Sequence, residues 1–131
     1  MCGIGGIISL TQKPIKSARA KARYLLSALH HRGPDDRGYF VSPSCNVLLV
    51  NTRLSIVGTN EVFPLPMSSK HKNTMLAFNG EIYDFIEQRE ALSLKGVTFK
   101  TSTDTEVLLN GLDLYGPSYL SKLDGFWSFA Y

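Results

Sequence analysis

A cysteine at position 2 is followed by Gly3-Ile4-Gly5-Gly6-Ile7, so the chain opens on a segment that is apolar yet nearly bare of side chains. Isoleucine favours an extended, half-buried backbone, and glycine inside a strand marks a close approach by another backbone or a ligand, or a bulge. Residues 2–10 are therefore expected to form a buried first strand. Cys2 is small enough to permit removal of Met1, which would leave a thiol and a free α-amino group on one residue. Their reference pKa values are about 8.5 and about 7.7–8.0, so a nucleophile and its own proton acceptor would sit together near neutral pH. The competing reading is a cysteine buried as a small core hydrophobe. The glycines alone favour neither.

A chain of 131 residues with 44% apolar and 19% charged side chains has enough material for one domain with a real core. The net charge of +3 is mild. Its loose basic group, Lys13, Lys16, Arg19, Lys21 and Arg23, reads as a solvated helix face rather than a nucleic-acid surface. Two cysteines make no disulfide framework, which fits a reducing compartment. The apolar opening is short, broken by glycine and preceded by no basic stretch, so it does not read as a signal peptide. No run approaches the ~20 apolar residues of a membrane helix. A cytoplasmic location is expected, with no nucleic-acid or membrane partner.

Along the chain, residues 17–31 carry helical spacing, with Ala18, Ala22, Leu25, Leu26 and Leu29 as the apolar stripe. Gly33 and Pro34 are expected to end that helix, Gly33 as a C-cap. Short strands are expected at 38–42 and 45–50, joined by a turn at 42–44, and residues 52–57 read as extended. A loop over 58–72 leads to a strand at 74–78 closed by Asn79-Gly80, a turn signal. A helix is expected over 82–94, an extended piece over 97–100, and a second helix whose start carries a capping box, Thr103 at N-cap and Glu106 at N3. A short helix over 118–123 and a strand over 125–131 complete the pattern.

Four groups carry chemistry. Cys2 is the first. Arg53, at the start of an apolar extended stretch, is either a surface salt-bridge partner or a bidentate clamp on a carboxylate, which a planar guanidinium suits. Asn79-Gly80 is either a plain turn or a pair of donors, amide and backbone N–H, for the oxyanion of a tetrahedral intermediate; a bare backbone at Gly80 would allow close approach. Glu81 beside them could hold an ammonium. Asp104 either complements the first turn of a helix or adds a second anion facing that ammonium. An arginine with two acids describes a pocket for a free α-amino acid, and the cysteine with oxyanion donors describes attack on that amino acid's side-chain amide. His30 and His31 read as helix-terminal residues.

Six segments together resemble the glutaminase domain of the class II glutamine amidotransferases, which are N-terminal nucleophile hydrolases. They are MCGIGGI at 1–7, HRGPDDRG at 31–38, TRLSIVG at 52–58, FNGEIYD at 78–84, STDTEVLL at 102–109 and LDGFWSFAY at 123–131. They occur in the family's order across the whole chain. Pro34-Asp35 and Leu54-Ser55-Ile56-Val57 follow the asparagine synthetase branch rather than the HRGYDS-like and TRWATHG-like segments of the glucosamine-6-phosphate synthase branch. Asp84 departs from the asparagine usual there.

The resemblance implies an α+β fold, an αββα four-layer sandwich of two antiparallel sheets. It implies Cys2 as nucleophile activated by its own amine, and Arg53 with backbone groups near Ile56 and Val57 on the glutamine α-carboxylate. Asn79 and Gly80 would form the oxyanion hole, and Glu81 and Asp104 would bind the α-ammonium. Glutamine is the implied substrate, with no metal or cofactor needed for its hydrolysis. The released ammonia would serve amide transfer as in asparagine biosynthesis, where ATP and Mg belong to a synthetase domain or subunit that supplies the acceptor. The family's domain continues past position 131, so residues 1–131 are expected to be its N-terminal portion, with the second sheet incomplete and an exposed strand edge. The alternative expectation is a catalytically inactive truncated homologue that acts as a glutamine-binding or protein-interaction module.

Overall fold

The computed structural model describes residues 2–11, 13–55, 63–69 and 72–131. Two three-stranded antiparallel sheets lie face to face, each covered by helix on its outer side. The first sheet has the order β1-β3-β2, from β1 (Gly3–Ile8), β2 (Asp36–Val41) and β3 (Val47–Arg53). The second has the order β4-β5-β6, from β4 (Met67–Ser68), β5 (Met75–Ile82) and β6 (Gly125–Ala130). Helix α1 (Ala18–Leu29) packs on the first sheet, while α2 (Phe85–Ser93) and α3 (Asp104–Tyr115) lie beyond the second. The expected α+β sandwich with four layers is the observed fold. Among the described residues, no helix is long and apolar enough to cross a membrane.

The central strand β3 explains the architecture. Its residues 48–53 are all buried, because α1 covers one face and the second sheet the other. Strand alternation then sorts them. Leu48 and Val50 meet Ala18, Ala22 and Leu26 of α1, and Thr52 Oγ1 donates to the Leu29 carbonyl at the helix end. Leu49, Asn51 and Arg53 point the other way. The larger core gathers around α3, where Val107, Leu108, Leu109 and Leu112 meet Leu76, Phe78 and Ile82 of β5 together with Leu92 and Tyr119. The basic residues Arg19, Lys21 and Arg23 are exposed on α1, opposite the buried stripe.

Several local expectations need correction. Asn79-Gly80 is not a turn: β5 runs through it, and Asn79 pairs with Ser128 and Gly80 with Trp127 of β6. Residues 97–100 form no strand, the helix expected from 82 begins at Phe85, and the piece expected at 118–123 is a 3-10 stretch, Gly116–Lys122. Gly33 does not cap α1 in a left-handed conformation. Its φ is −155°, and glycine is required there because a Cβ would lie 2.6 Å from the backbone of Arg53. In β1, the close approach expected at the glycines is by backbone at Gly6, where a Cβ would lie 2.7 Å from the Leu48 carbonyl oxygen, and by side chains at Gly3 and Gly5, over which Thr52 and Val50 of β3 close together with Leu29 of α1.

The capping box is half formed. Thr103 Oγ1 accepts from the Glu106 N–H, but the Glu106 carboxylate turns instead to the N–H groups of Lys100 and Thr101 and to the Thr101 hydroxyl. It fixes the loop that leads into α3. Asp84 likewise stays out of the site, since its carboxylate accepts from the Asp124 N–H and from Gln88 Nε2 and so ties α2 to the start of β6.

Candidate functional site

The ends of β1, β3, β5 and α3 converge on one cleft that holds about 650 Å³ of free space, its open mouth included. Cys2, Arg53, Asn79, Gly80, Glu81 and Asp104 all line it, although they lie as far apart as positions 2 and 104 in the sequence. Ile56 and Val57 lie outside the described residues. His30 and His31 are exposed at the end of α1 and do not line the cleft.

Register places Cys2 beside Arg53, one step beyond the antiparallel pair Gly3 and Thr52. Three bonds hold this corner. Arg32 Nε donates to the Cys2 carbonyl at 3.1 Å. Asp35 N–H donates to the Arg53 carbonyl at 3.1 Å, and Asp35 Oδ2 accepts from the Ser55 N–H at 2.8 Å. The Arg32–Asp35 segment thus fixes both the residue that carries the thiol and the chain around the guanidinium. Among the described residues, the Cys2 thiol itself has only a long contact, 3.8 Å to the Leu54 carbonyl. Arg53 is 7% exposed, and its Cζ lies 4.5 Å from the centroid of the Phe63 ring. A ring over one face of a guanidinium adds cation–π attraction and leaves the N–H edges for other partners.

The phase of the β5–β6 ladder decides what Gly80 offers. Tyr83 N–H donates to the Asp124 carbonyl, so odd-numbered residues of β5 exchange their bonds with β6. The N–H groups of Phe78, Gly80 and Ile82 therefore face the opposite edge. Asn51 Oδ1 takes the first and Asp104 Oδ2 the last, both at 3.2 Å. The Gly80 N–H lies between them, turned to the cleft, with no partner among the described residues. Asn79 Oδ1 is buried there without a hydrogen bond from any of the described residues. A buried amide oxygen left unpaired costs about 1–3 kcal/mol, which a ligand that donates a hydrogen bond can offset.

Asp104 has its pKa raised, chiefly by burial, against hydrogen bonds from the Ile82 and Thr105 N–H groups and the Thr105 hydroxyl that lower it; the charge of Glu81 raises it further. Two carboxyl groups in one cleft repel each other, and a cation between them relieves the repulsion.

Arg32, Asn51 and Phe63 were assigned no part by sequence reasoning. A signal for Asn51 was present: Asn51-Thr52-Arg53 continue the apolar run Val47–Val50 without a turn residue, so polar groups are carried along a buried strand. Nothing in the sequence connects Arg32 to Cys2 or Phe63 to Arg53.

A family profile described as "Glutamine amidotransferase domain" matches residues 1–131. The chain is 38% identical over 133 residues to asparagine synthetase [glutamine-hydrolyzing] 1 of Bacillus subtilis, covering 98% of this chain and 20% of that protein. It is 35% identical over 130 residues to asparagine synthetase B [glutamine-hydrolyzing] of Escherichia coli, covering 99% and 23%. The chain thus spans about a fifth to a quarter of the length of such relatives. Among solved structures, the B. subtilis glutamine phosphoribosylpyrophosphate amidotransferase complexed with ADP and GMP superposes with a TM-score of 0.72 at 22% identity, over 98% of this chain and 34% of that one. A structure titled as the allosteric regulatory enzyme of purine biosynthesis gives 0.76 at 20% identity, over 98% and 34%. At such identities these two establish the fold alone.

Proposed function

Because the chain belongs to the glutamine amidotransferase domain family, we propose that its cleft hydrolyses the side-chain amide of glutamine with Cys2 as the nucleophile. The observation that carries this reading is the shared cleft. A thiol, a guanidinium, two carboxyl groups, and a backbone N–H without a partner among the described residues, beside the Asn79 amide, come together from four separate segments.

With Met1 removed, the Cys2 α-amine takes the thiol proton. The thiolate sulfur attacks the amide carbon, and the carbonyl oxygen becomes an oxyanion that accepts bonds from Asn79 Nδ2 and the Gly80 N–H. The C–N bond then breaks, and the leaving nitrogen takes the proton held by the α-ammonium and departs as ammonia. Water, deprotonated by the same amine, attacks the thioester carbon and expels the sulfur, releasing glutamate. Arg53 pairs with the substrate α-carboxylate, and Glu81 and Asp104 with its α-ammonium, so both charged ends orient the amide toward sulfur. Backbone groups of Ile56 and Val57 are proposed as further carboxylate contacts. We further propose that the ammonia serves amide transfer as in asparagine biosynthesis, with the acceptor, ATP and Mg handled by a synthetase domain or subunit.

The test is glutamate release from glutamine by the chain with Met1 removed, compared with Cys2→Ala. Turnover in the first and none in the second is expected, with glutamine binding retained in the variant. Equal release by both, or full activity with Met1 still attached, would reject the mechanism. Binding without turnover in the trimmed chain would favour a glutamine-binding module instead.

A further inference from the structure

One buried side chain ties together the three strands that carry the thiol, the guanidinium and the oxyanion donors. Asn51 is 2% exposed, on the face of β3 turned to the second sheet. Its Nδ2 lies 3.0 Å from the Gly3 carbonyl of β1 and 3.2 Å from the Phe78 carbonyl of β5. Its Oδ1 accepts the Phe78 N–H at 3.2 Å. The amide thus meets both polar groups of Phe78, as a neighbouring strand would, where no strand runs alongside among the described residues.

The positions of these contacts give them consequence. Gly3 follows the nucleophile directly, and Phe78 precedes Asn79-Gly80. A third acceptor, the Thr52 carbonyl at 3.3 Å, shares the same Nδ2. With two hydrogens and three acceptors within reach, Nδ2 has none left for a ligand. Asn51 lines the cleft, yet its bonding capacity is spent on the frame.

We infer that Asn51 is a positioning residue: its amide sets the distance between the Cys2 thiol and the oxyanion donors Asn79 and Gly80. The inference rests on the proposed glutaminase reading and deepens it. A carboxylate or an aliphatic side chain of similar size could not do the same, since the site needs a donor for two carbonyls and an acceptor for one N–H on a single planar group.

Asn51→Asp keeps the shape and the acceptor for the Phe78 N–H but cannot donate to Gly3 or Phe78. In the Met1-trimmed chain, kcat for glutamine is expected to fall by roughly 100-fold, the scale of a ~1 Å misplacement. KM should move by less than about twofold, because the contacts to both charged ends of the substrate are untouched. Rates are taken per titrated thiol of folded protein, so a merely structural role would leave kcat unchanged and overturn the inference. Crystal structures of both forms read the same claim without turnover: the separation of Cys2 Sγ from the Gly80 nitrogen should change by more than about 0.5 Å, and an unchanged separation overturns it. A parent chain that releases no glutamate rejects the glutaminase reading, and that separation alone then decides for or against Asn51. Should N51D fail to fold, Asn51→Ser keeps one donor and one acceptor in a smaller volume and is read by the same two measurements.

Discussion

Arg32 Nε donates to the main-chain carbonyl of Cys2 at 3.1 Å, so the residue proposed as nucleophile is held through its backbone by a side chain 30 positions further on. The contact leaves the thiol and the nitrogen of Cys2 free of Arg32 and fixes only where they stand. Arg32→Leu is expected to lower kcat for glutamine by roughly tenfold to a hundredfold, the worth of one hydrogen bond from a charged group. KM should change little. Arg32→Lys, which keeps the charge without the planar fork, should fall between. Steady-state kinetics on the three proteins checks the order; a lysine variant equal to the parent would reduce the contact to simple charge.

Much of this site was legible in the sequence because its parts are short motifs with strong chemistry. Cys2, Arg53, Asn79, Gly80, Glu81 and Asp104 were each singled out, and the fold brings all six to one cleft. The α1 stripe was legible for a related reason: Ala18, Ala22 and Leu26 follow helical spacing and are buried. Asn79-Gly80 misled as a turn because tertiary pairing overrides dipeptide preference. Continuing β5 past Phe78 to Ile82 adds four residue pairs with β6, worth more than a local turn. The pairings within the polar frame were not legible, although a polar run on a buried strand marks Asn51 itself. Asn51 to Phe78 and Arg32 to Cys2 are contacts between segments, and nothing in either member announces the other.

Asp104 predicts a pH dependence. Burial raises its pKa above the ordinary carboxylate range, with Glu81 adding to the rise. A substrate ammonium needs the ionised form, so KM for glutamine should climb as pH falls toward that raised pKa, earlier than an ordinary carboxylate would cause. Folding stability runs the other way. A raised native pKa favours the folded state at pH below the unfolded value of ~3.9 and loses that contribution as pH rises through the native value. At neutral pH the charged group therefore costs stability. Asp104→Asn can still accept the Ile82 N–H, so its Tm should equal or exceed that of the parent while glutamine binding collapses. A variant with lower Tm and unchanged KM would remove Asp104 from the ammonium site.

Arg53 predicts a split between substrates. The proposed carboxylate clamp contacts glutamine equally in ground and transition states, so Arg53→Lys should raise KM by roughly tenfold to a hundredfold with little change in kcat. Glutamine α-amide, which lacks the α-carboxylate, should be hydrolysed poorly and about equally by both proteins. A large preference of the parent for this amide over the lysine variant would mean that Arg53 acts on something other than the carboxylate, such as the packing of Phe63 above it.

Gly80 separates a steric demand from a chemical one. Its N–H faces the cleft, but alanine would carry the same N–H, so the oxyanion role does not by itself require glycine. The requirement comes from β6. A Cβ at position 80 would lie 2.3 Å from the Phe126 carbonyl oxygen and 2.7 Å from the Trp127 Cα, and a paired backbone cannot swing aside as a side-chain tip can. Gly80→Ala must therefore push β5 and β6 apart. The cost should reach or exceed the upper end of the ~1–3 kcal/mol typical of overpacking. For a domain of this size that lowers Tm by roughly 10 °C. Gly96→Ala is the comparison, since nothing lies within 4 Å there and only the φ of +86° opposes it; its cost should be near the ~1–2 kcal/mol of a left-handed residue. Thermal unfolding of the two variants gives the ranking. A Gly80→Ala protein as stable as the parent, yet without turnover, would show that glycine is kept for the approach of substrate and that the pairing with Trp127 yields easily.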